Sequence, residues 1–168
     1  MMGLRLSLSA VFCAGLVMLA PAMATAQGAS VAFGTLSQDT SLPVEVTSDE
    51  LSVDQQTGTA IFTGNVVIGQ GEMRLSAQRV IVVYRDSTEG IARLEATGGV
   101  TLVSGSDAAE AQRADYSIDE GTIVMSGSVL LAQGASALSA DTMTINLTDG
   151  TARMSGNVRT RLATGGSD

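Results

Sequence analysis

The chain has 168 residues, 45% hydrophobic, 15% charged and 3% aromatic, a composition of packed or repetitive folds that excludes intrinsic disorder. Nine basic residues, all arginine, stand against seventeen acidic ones for a net charge of −8, which excludes a basic nucleic-acid footprint. Histidine, lysine and tryptophan are absent; with histidine go the usual general base, the commonest metal ligand, and the Ser-His and Cys-His pairs of nucleophilic catalysis.

The N-terminus reads as an export signal. A short start carries Arg5, an apolar run extends from Leu6 to Ala20, and Pro21 precedes Ala24-Thr25-Ala26, the small-residue pattern of a cleavage site. The run falls short of the roughly 20 residues that span a bilayer, so cleavage before Gln27 is expected. Cys13, the only cysteine, lies inside this segment, and the flanking Val11-Phe12 and Ala14-Gly15 do not suit acylation. The chain from Gln27 onward keeps all seventeen acids and has no cysteine. Its length allows a core without disulfides. Residues 27–43 read as a flexible lead-in, 44–163 as the folded domain and 164–168 as a flexible tail.

From Pro43 onward one unit recurs. Its first landmark is Gly-x-Val, at Gly64-Asn65-Val66, Gly98-Gly99-Val100, Gly127-Ser128-Val129 and Gly156-Asn157-Val158. Its second is a polar segment, at Ser48-Asp49-Glu50-Leu51, Ala77-Gln78-Arg79-Val80, Ala111-Gln112-Arg113-Ala114 and Ala140-Asp141-Thr142-Met143. Two landmarks sharing a period of roughly 30 residues make a repeat. Within each unit apolar residues alternate with polar ones, as in Val44/Val46, Met73/Leu75/Ala77, Ala114/Tyr116/Ile118 and Met143/Ile145/Leu147. That is the period of half-buried strands. The run from Arg79 to Tyr84 is continuously apolar after its first residue and suggests burial on both faces or a covered edge. Asp119-Glu120-Gly121 and Asp149-Gly150 have hairpin-turn chemistry.

These patterns predict an all-β fold of about fifteen short antiparallel strands, arranged as a β-jelly roll or β-roll of two facing sheets, with Gly-x-Val at the bend between sheets. A parallel β-helix is the structural rival, with shorter and more regular coils.

No catalytic or metal site is legible. Asp54, Asp86, Glu89, Asp119, Glu120 and Asp149 precede turn glycines and are explained by turn chemistry. Asp49, Asp115 and Asp141 read as outward strand residues. Neither a calcium loop nor a phosphate-binding glycine loop is present, and no cofactor is expected. Arg74, Arg79 and Arg85 could present guanidinium groups to phosphate, but read more simply as solvated residues paired with acids. The aliphatic face of Val, Ile, Leu, Ala and Met forms either a dry core or a groove for acyl chains. It lacks the aromatic platforms of single-stranded nucleic-acid sites.

Pro43-Val44-Glu45-Val46-Thr47-Ser48-Asp49, Asp54, Phe62-Thr63-Gly64-Asn65-Val66, Gln70-Gly71 and Ala77-Gln78-Arg79-Val80, followed by Gly156-Asn157-Val158, resemble the OstA-like family of periplasmic lipopolysaccharide-transport proteins. The resemblance implies a β-jelly roll whose apolar groove takes the acyl chains of lipid A. It implies head-to-tail stacking of copies into a bridge between an LptC-like inner-membrane protein and an LptD-like outer-membrane protein, with no chemistry at this subunit. It also implies Val44, Val46, Phe62, Met73, Leu75, Leu102, Tyr116, Ile118, Met143 and Ile145 as acyl-chain contacts. The chain departs from familiar members in lacking lysine and in its acidity. A structural β-repeat that polymerises through its edges without lipid, and a carbohydrate-active β-helix enzyme with paired carboxylates, are the competing functions.

Overall fold

The computed structural model describes residues 29–32, 41–85 and 90–161. The expected export signal, most of the lead-in, Asp86 and Glu89, and the tail lie outside the described residues. Eleven strands and no helix fill the described chain: β1 (Ala29–Ala32), β2 (Glu45–Thr47), β3 (Glu50–Asp54), β4 (Thr59–Gln70), β5 (Met73–Tyr84), β6 (Ile91–Ser104), β7 (Asp107–Ser117), β8 (Thr122–Gln133), β9 (Ser136–Asn146), β10 (Thr151–Ser155) and β11 (Arg159–Arg161). All neighbours pair antiparallel, in the order β1-β10-β9-β8-β7-β6-β5-β4-β2, with β3 also on β4 and β11 also on β9.

Each of β4 to β9 is long because it is bent rather than broken. The register slips by one residue near the middle of every pair, between Thr63 and Val66, Ser76 and Arg79, Thr97 and Val100, Glu110 and Arg113, and Ser126 and Val129. Such β-bulges bend a strand and sharpen its twist while pairing continues on both sides. The short strands expected from sequence are the two arms of these bent strands. The two facing sheets are accordingly two halves of one hydrogen-bonded sheet. One half carries β3, the N-terminal arms of β4, β6 and β8, the C-terminal arms of β5, β7 and β9, β10 and β1. The other carries β2, the complementary arms and β11.

The two landmarks of the repeat meet at these corners. A Cβ added to Gly98 lies 2.7 Å from the Cβ of Gln78, one on Gly127 lies 2.9 Å from that of Gln112, and one on Gly64 lies 2.5 Å from Asp49 Oδ2. The two neighbouring segments at each corner therefore cannot approach unless one of them carries glycine. Gly64 and Gly98 also have φ of +78° and +89°, where a side chain is strained. At the following position Asn65, Ser128 and Asn157 sit at φ of 46°, 52° and 48°, and two of them tie the corner together: Asn65 Nδ2 donates to Asp49 Oδ2 at 2.9 Å and Asn157 Nδ2 to Asp141 Oδ2 at 2.8 Å. Asp49 and Asp141 are thus corner braces rather than plain outward residues.

The inward positions of both halves form one core. It includes Ile68, Met73, Leu102, Ile123, Met125, Leu131, Met143 and Ile145, none more than 1% exposed. Each such side chain contributes about 1.5–3 kcal/mol by leaving water. The apolar run in β5 is a central strand and not an edge: Val80 and Val82 are buried, and Ile81 and Val83 stand half-buried on the outer face.

Candidate functional site

The interior of the roll gathers the predicted groove residues. Met73, Leu75, Leu102, Tyr116, Met143 and Ile145 are at most 2% exposed, and Val44, Val46, Phe62 and Ile118 pack half-buried against them. They come from β5, β6, β7 and β9 in the buried set, and from the β2–β4 region and the β7–β8 turn in the half-buried set. Alternation brings them together, because the bulges restore inward parity after every bend. The buried members are sealed from solvent, so an acyl chain reaches them where the roll is open or where its halves part.

The roll is open at its β2–β3 end. Leu51 pairs with Phe62 and Val53 with Ala60, which puts both on the inward face, yet they are 57% and 61% exposed, because among the described residues no strand lies beyond them. With Val44, Val46 and Phe62 they form an apolar opening. Sequence reasoning passed over Leu51 and Val53, although their alternation with Ser52 and Asp54 was visible.

A polar contact crosses the interior. Tyr116 Oη donates to Gln70 Oε1 at 2.7 Å, linking the C-terminal arm of β7 in one half to the end of β4 in the other. Gln70 Nε2 in turn donates to the Leu42 carbonyl at 2.9 Å. Burial pushes the Tyr116 phenol above its ordinary value, and the Gln70 contact partly offsets the rise. The folded state therefore disfavours the phenolate. Stability is whole below the usual phenol range and falls as pH rises past about 10, where the unfolded chain ionises first. Tyr84 is the only other tyrosine, and neither lysine nor histidine is present to obscure the effect. We expect the urea midpoint to fall between about pH 8 and about pH 11, and Tyr116→Phe to flatten that fall; an equal fall in the variant contradicts it.

The outer face carries the charge. Arg113 bridges Glu95 at 3.1 Å and Asp115 at 2.5 Å, and Arg93 reaches Glu95 at 2.9 Å. The Arg93 hydrogen bond chiefly, with help from Arg113, holds the Glu95 carboxyl below its usual range, and the two acids raise the Arg113 guanidinium. Exposed pairs of this kind contribute at most about 1 kcal/mol each. The backbone N–H of Gln56 leads in lowering Asp54, a turn role. Of the three arginines considered for phosphate, Arg74 donates to the carbonyls of Gly71 and Met73 at 2.6 and 2.7 Å, Arg85 pairs with Asp119, and Arg79 stands outward on β5. The structure does not bring them to one site.

Comparison with known proteins agrees with this architecture. A family described as LptA/(LptD N-terminal domain) LPS transport protein matches residues 45–151, from the first residue of β2 to the first of β10. The lipopolysaccharide export system protein LptA of Escherichia coli K12 is 34% identical over 62 residues, 37% of this chain, and the match spans 34% of that relative's length. A Rhizobium meliloti protein is 32% identical over 109 residues, 61% of this chain and 59% of its own. The crystal structure of LptH from Pseudomonas aeruginosa, described as the LptA-homologous periplasmic component of a lipopolysaccharide transport device, superposes with a TM-score of 0.66 at 13% identity, covering 74% of this chain and 98% of that one. That likeness shows the shared β-jelly-roll fold, and the family match extends over most of the chain. The chain belongs to the LptA/LptD N-terminal domain family of lipopolysaccharide-transport proteins.

Proposed function

We propose that this protein is a periplasmic carrier that holds the acyl chains of lipopolysaccharide in its lumen and passes the lipid from the inner to the outer membrane. The observation that carries this reading is the continuous aliphatic interior, shared by both halves of the sheet and open to solvent at Val44, Val46, Leu51, Val53 and Phe62. Each CH₂ of an acyl chain moved from water into such a lumen gains about 0.8 kcal/mol, so an apolar groove suffices to hold lipid without a charged grip. Transfer between carriers then needs no covalent step. Residues 1–26 act as the cleaved export signal, and Ala29–Ala32, within the expected lead-in, is strand β1 of the sheet.

The carrier works as part of a bridge built head to tail, from an LptC-like protein at the inner membrane to an LptD-like protein at the outer one. Free strand edges are templates for strand addition. Seven antiparallel steps separate β2 from β11, and β3 from β10, so each meets its counterpart on a second copy in the antiparallel sense. The outward charges are complementary: Glu45, Glu50 and Asp54 line the first end and Arg153, Arg159 and Arg161 the other, with these arginines in no ion pair among the described residues. β1 now covers β10, so stacking across both halves requires it to leave. The test is a lipopolysaccharide-binding titration of the wild-type chain against Phe62→Glu. Saturable binding lost in the variant supports the carrier; an unaltered isotherm favours an edge-polymerising repeat without a lipid ligand.

A further inference from the structure

The inward face of the roll is aliphatic except along one line. In the half that contains β2 and β11, the strand ends farthest from the corners are the tips of the β4–β5, β6–β7 and β8–β9 hairpins. Their inward positions are Gln70, Met73, Ser104, Asp107, Gln133 and Ser136, so only Met73 is apolar. Gln70 and Ser104 are 1% exposed and Asp107 is 6% exposed. Gln133 Nε2 donates to Asp107 Oδ2 at 2.8 Å. The Ser104 hydroxyl has no hydrogen-bond partner among the described residues. A buried hydroxyl without a partner costs about 1–3 kcal/mol, so this position is not explained by packing. The facing half presents Ile91, Ile118 and Leu147 with Tyr116, whose hydroxyl reaches across to Gln70.

We infer that this polar lip is a subsite for the neutral hydrogen-bonding groups that join acyl chains to a head group, amide, ester or hydroxyl, and that the Tyr116–Gln70 bond is the latch such a lipid replaces. The inference rests on the carrier reading above and assigns the polar part of the same ligand. The lip presents the amides of Gln70 and Gln133, the carboxylate of Asp107 and the Ser104 hydroxyl, the last without a partner among the described residues, and a lipid amide or hydroxyl satisfies it. It carries a carboxylate and no arginine on its inward side, which disfavours phosphate. When the Tyr116–Gln70 bond breaks and bonds to the lipid replace it at once, the halves part at this point without leaving either side chain unpaired. An entering chain without polar groups breaks the latch and supplies no substitute.

The test compares two probes of equal chain length with an environment-sensitive dye at the chain end, a long-chain N-acyl glucosamine and the corresponding fatty acid, on the full mature chain. Tyr116→Phe removes the latch hydroxyl and keeps the ring. It is expected to speed entry of both probes about fivefold, the rate equivalent of one net hydrogen bond. Ser104→Ala is expected to weaken the acyl glucosamine about fivefold and to leave the fatty acid unchanged. If both probes enter the wild type but neither variant differs from it, or Ser104→Ala weakens both probes alike, the subsite and latch are overturned while the carrier reading stands. If neither probe enters the wild type, the lumen reading fails and the subsite with it.

Discussion

Gly98→Ala is expected to destabilise the fold by about 3 kcal/mol, and Gly99→Ala, one residue away, by about 1 kcal/mol. Both glycines sit at nearly the same positive φ, +89° and +84°, so the conformational strain of a side chain is shared. They differ in space. A methyl at Gly98 meets the Cβ of Gln78 at 2.7 Å, whereas nothing lies within 4 Å of one at Gly99. The neighbour at Gly98 is the first atom of a side chain, fixed to the backbone of a paired strand, so it cannot swing aside, and the β5–β6 corner must open. Because folded domains hold only about 5–15 kcal/mol in total, the loss is a large share. Gly99→Asn is expected to be nearly neutral, since asparagine occupies the equivalent position at Asn65 and Asn157. Urea midpoints followed by far-ultraviolet circular dichroism separate the three variants; equal losses at Gly98 and Gly99 contradict the close-approach argument.

Phe62→Glu and Val46→Glu are expected to reduce lipopolysaccharide binding at least about 100-fold while leaving a folded protein. A carboxylate facing an acyl chain without a partner costs several kcal/mol, and every 1.4 kcal/mol is tenfold in affinity. Both side chains are half-buried near the open end, so in the empty protein the charge can reach water. Leu102→Ala is the reverse case. Leu102 is fully buried, and its truncation is expected to lower stability by about 3 kcal/mol through lost transfer energy and a cavity. Binding titrations beside unfolding curves check both sides. Equal loss of folding and binding in all three variants would remove the distinction between an open end and a sealed interior.

Much of the fold was legible in the chain itself. The period of two in Met73/Leu75/Ala77 and Met143/Ile145/Leu147 placed those side chains inward, and a repeat with two landmarks gave the bends. What the spacing did not reveal is why the landmarks share one period. They touch: Gly98 lies against Gln78, Gly127 against Gln112, and Gly64 against Asp49. Such contacts join strands far apart in sequence, and local patterns carry no information about which glycine abuts which side chain. The same limit hid the continuity of the sheet, since a bulge and a strand break look alike in sequence. The apolar run in β5 was ambiguous because partial cover of Ile81 and Val83 on the outer face comes from neighbouring strands.

The candidate site was legible in part. All ten positions that the family resemblance implied line or pack against the interior; all but Phe62 and Leu102 also stand in the alternating stretches read from the chain, where inward parity is local. The opening at Leu51 and Val53 was not, for exposure there depends on β3 being the last strand of its half, a property of topology. Nor was the pairing of Tyr116 with Gln70, 46 residues apart, which depends on how the two halves close over each other. Gln70, Ser104 and Asp107 stand beside hairpin turns, where nothing local marks a polar residue as inward.

The most direct measurement is photo-crosslinking in the intact cell envelope from a probe placed at Phe62, with one at the outward Arg85 as control, followed by detection of lipopolysaccharide on the adduct. A lipopolysaccharide adduct at Phe62 and none at Arg85 is the expected result, and it places lipid in the lumen of a working carrier. Protein adducts alone at Phe62, with no lipid there or at Val46, contradict the carrier and leave a polymerising repeat that shares the fold without the cargo.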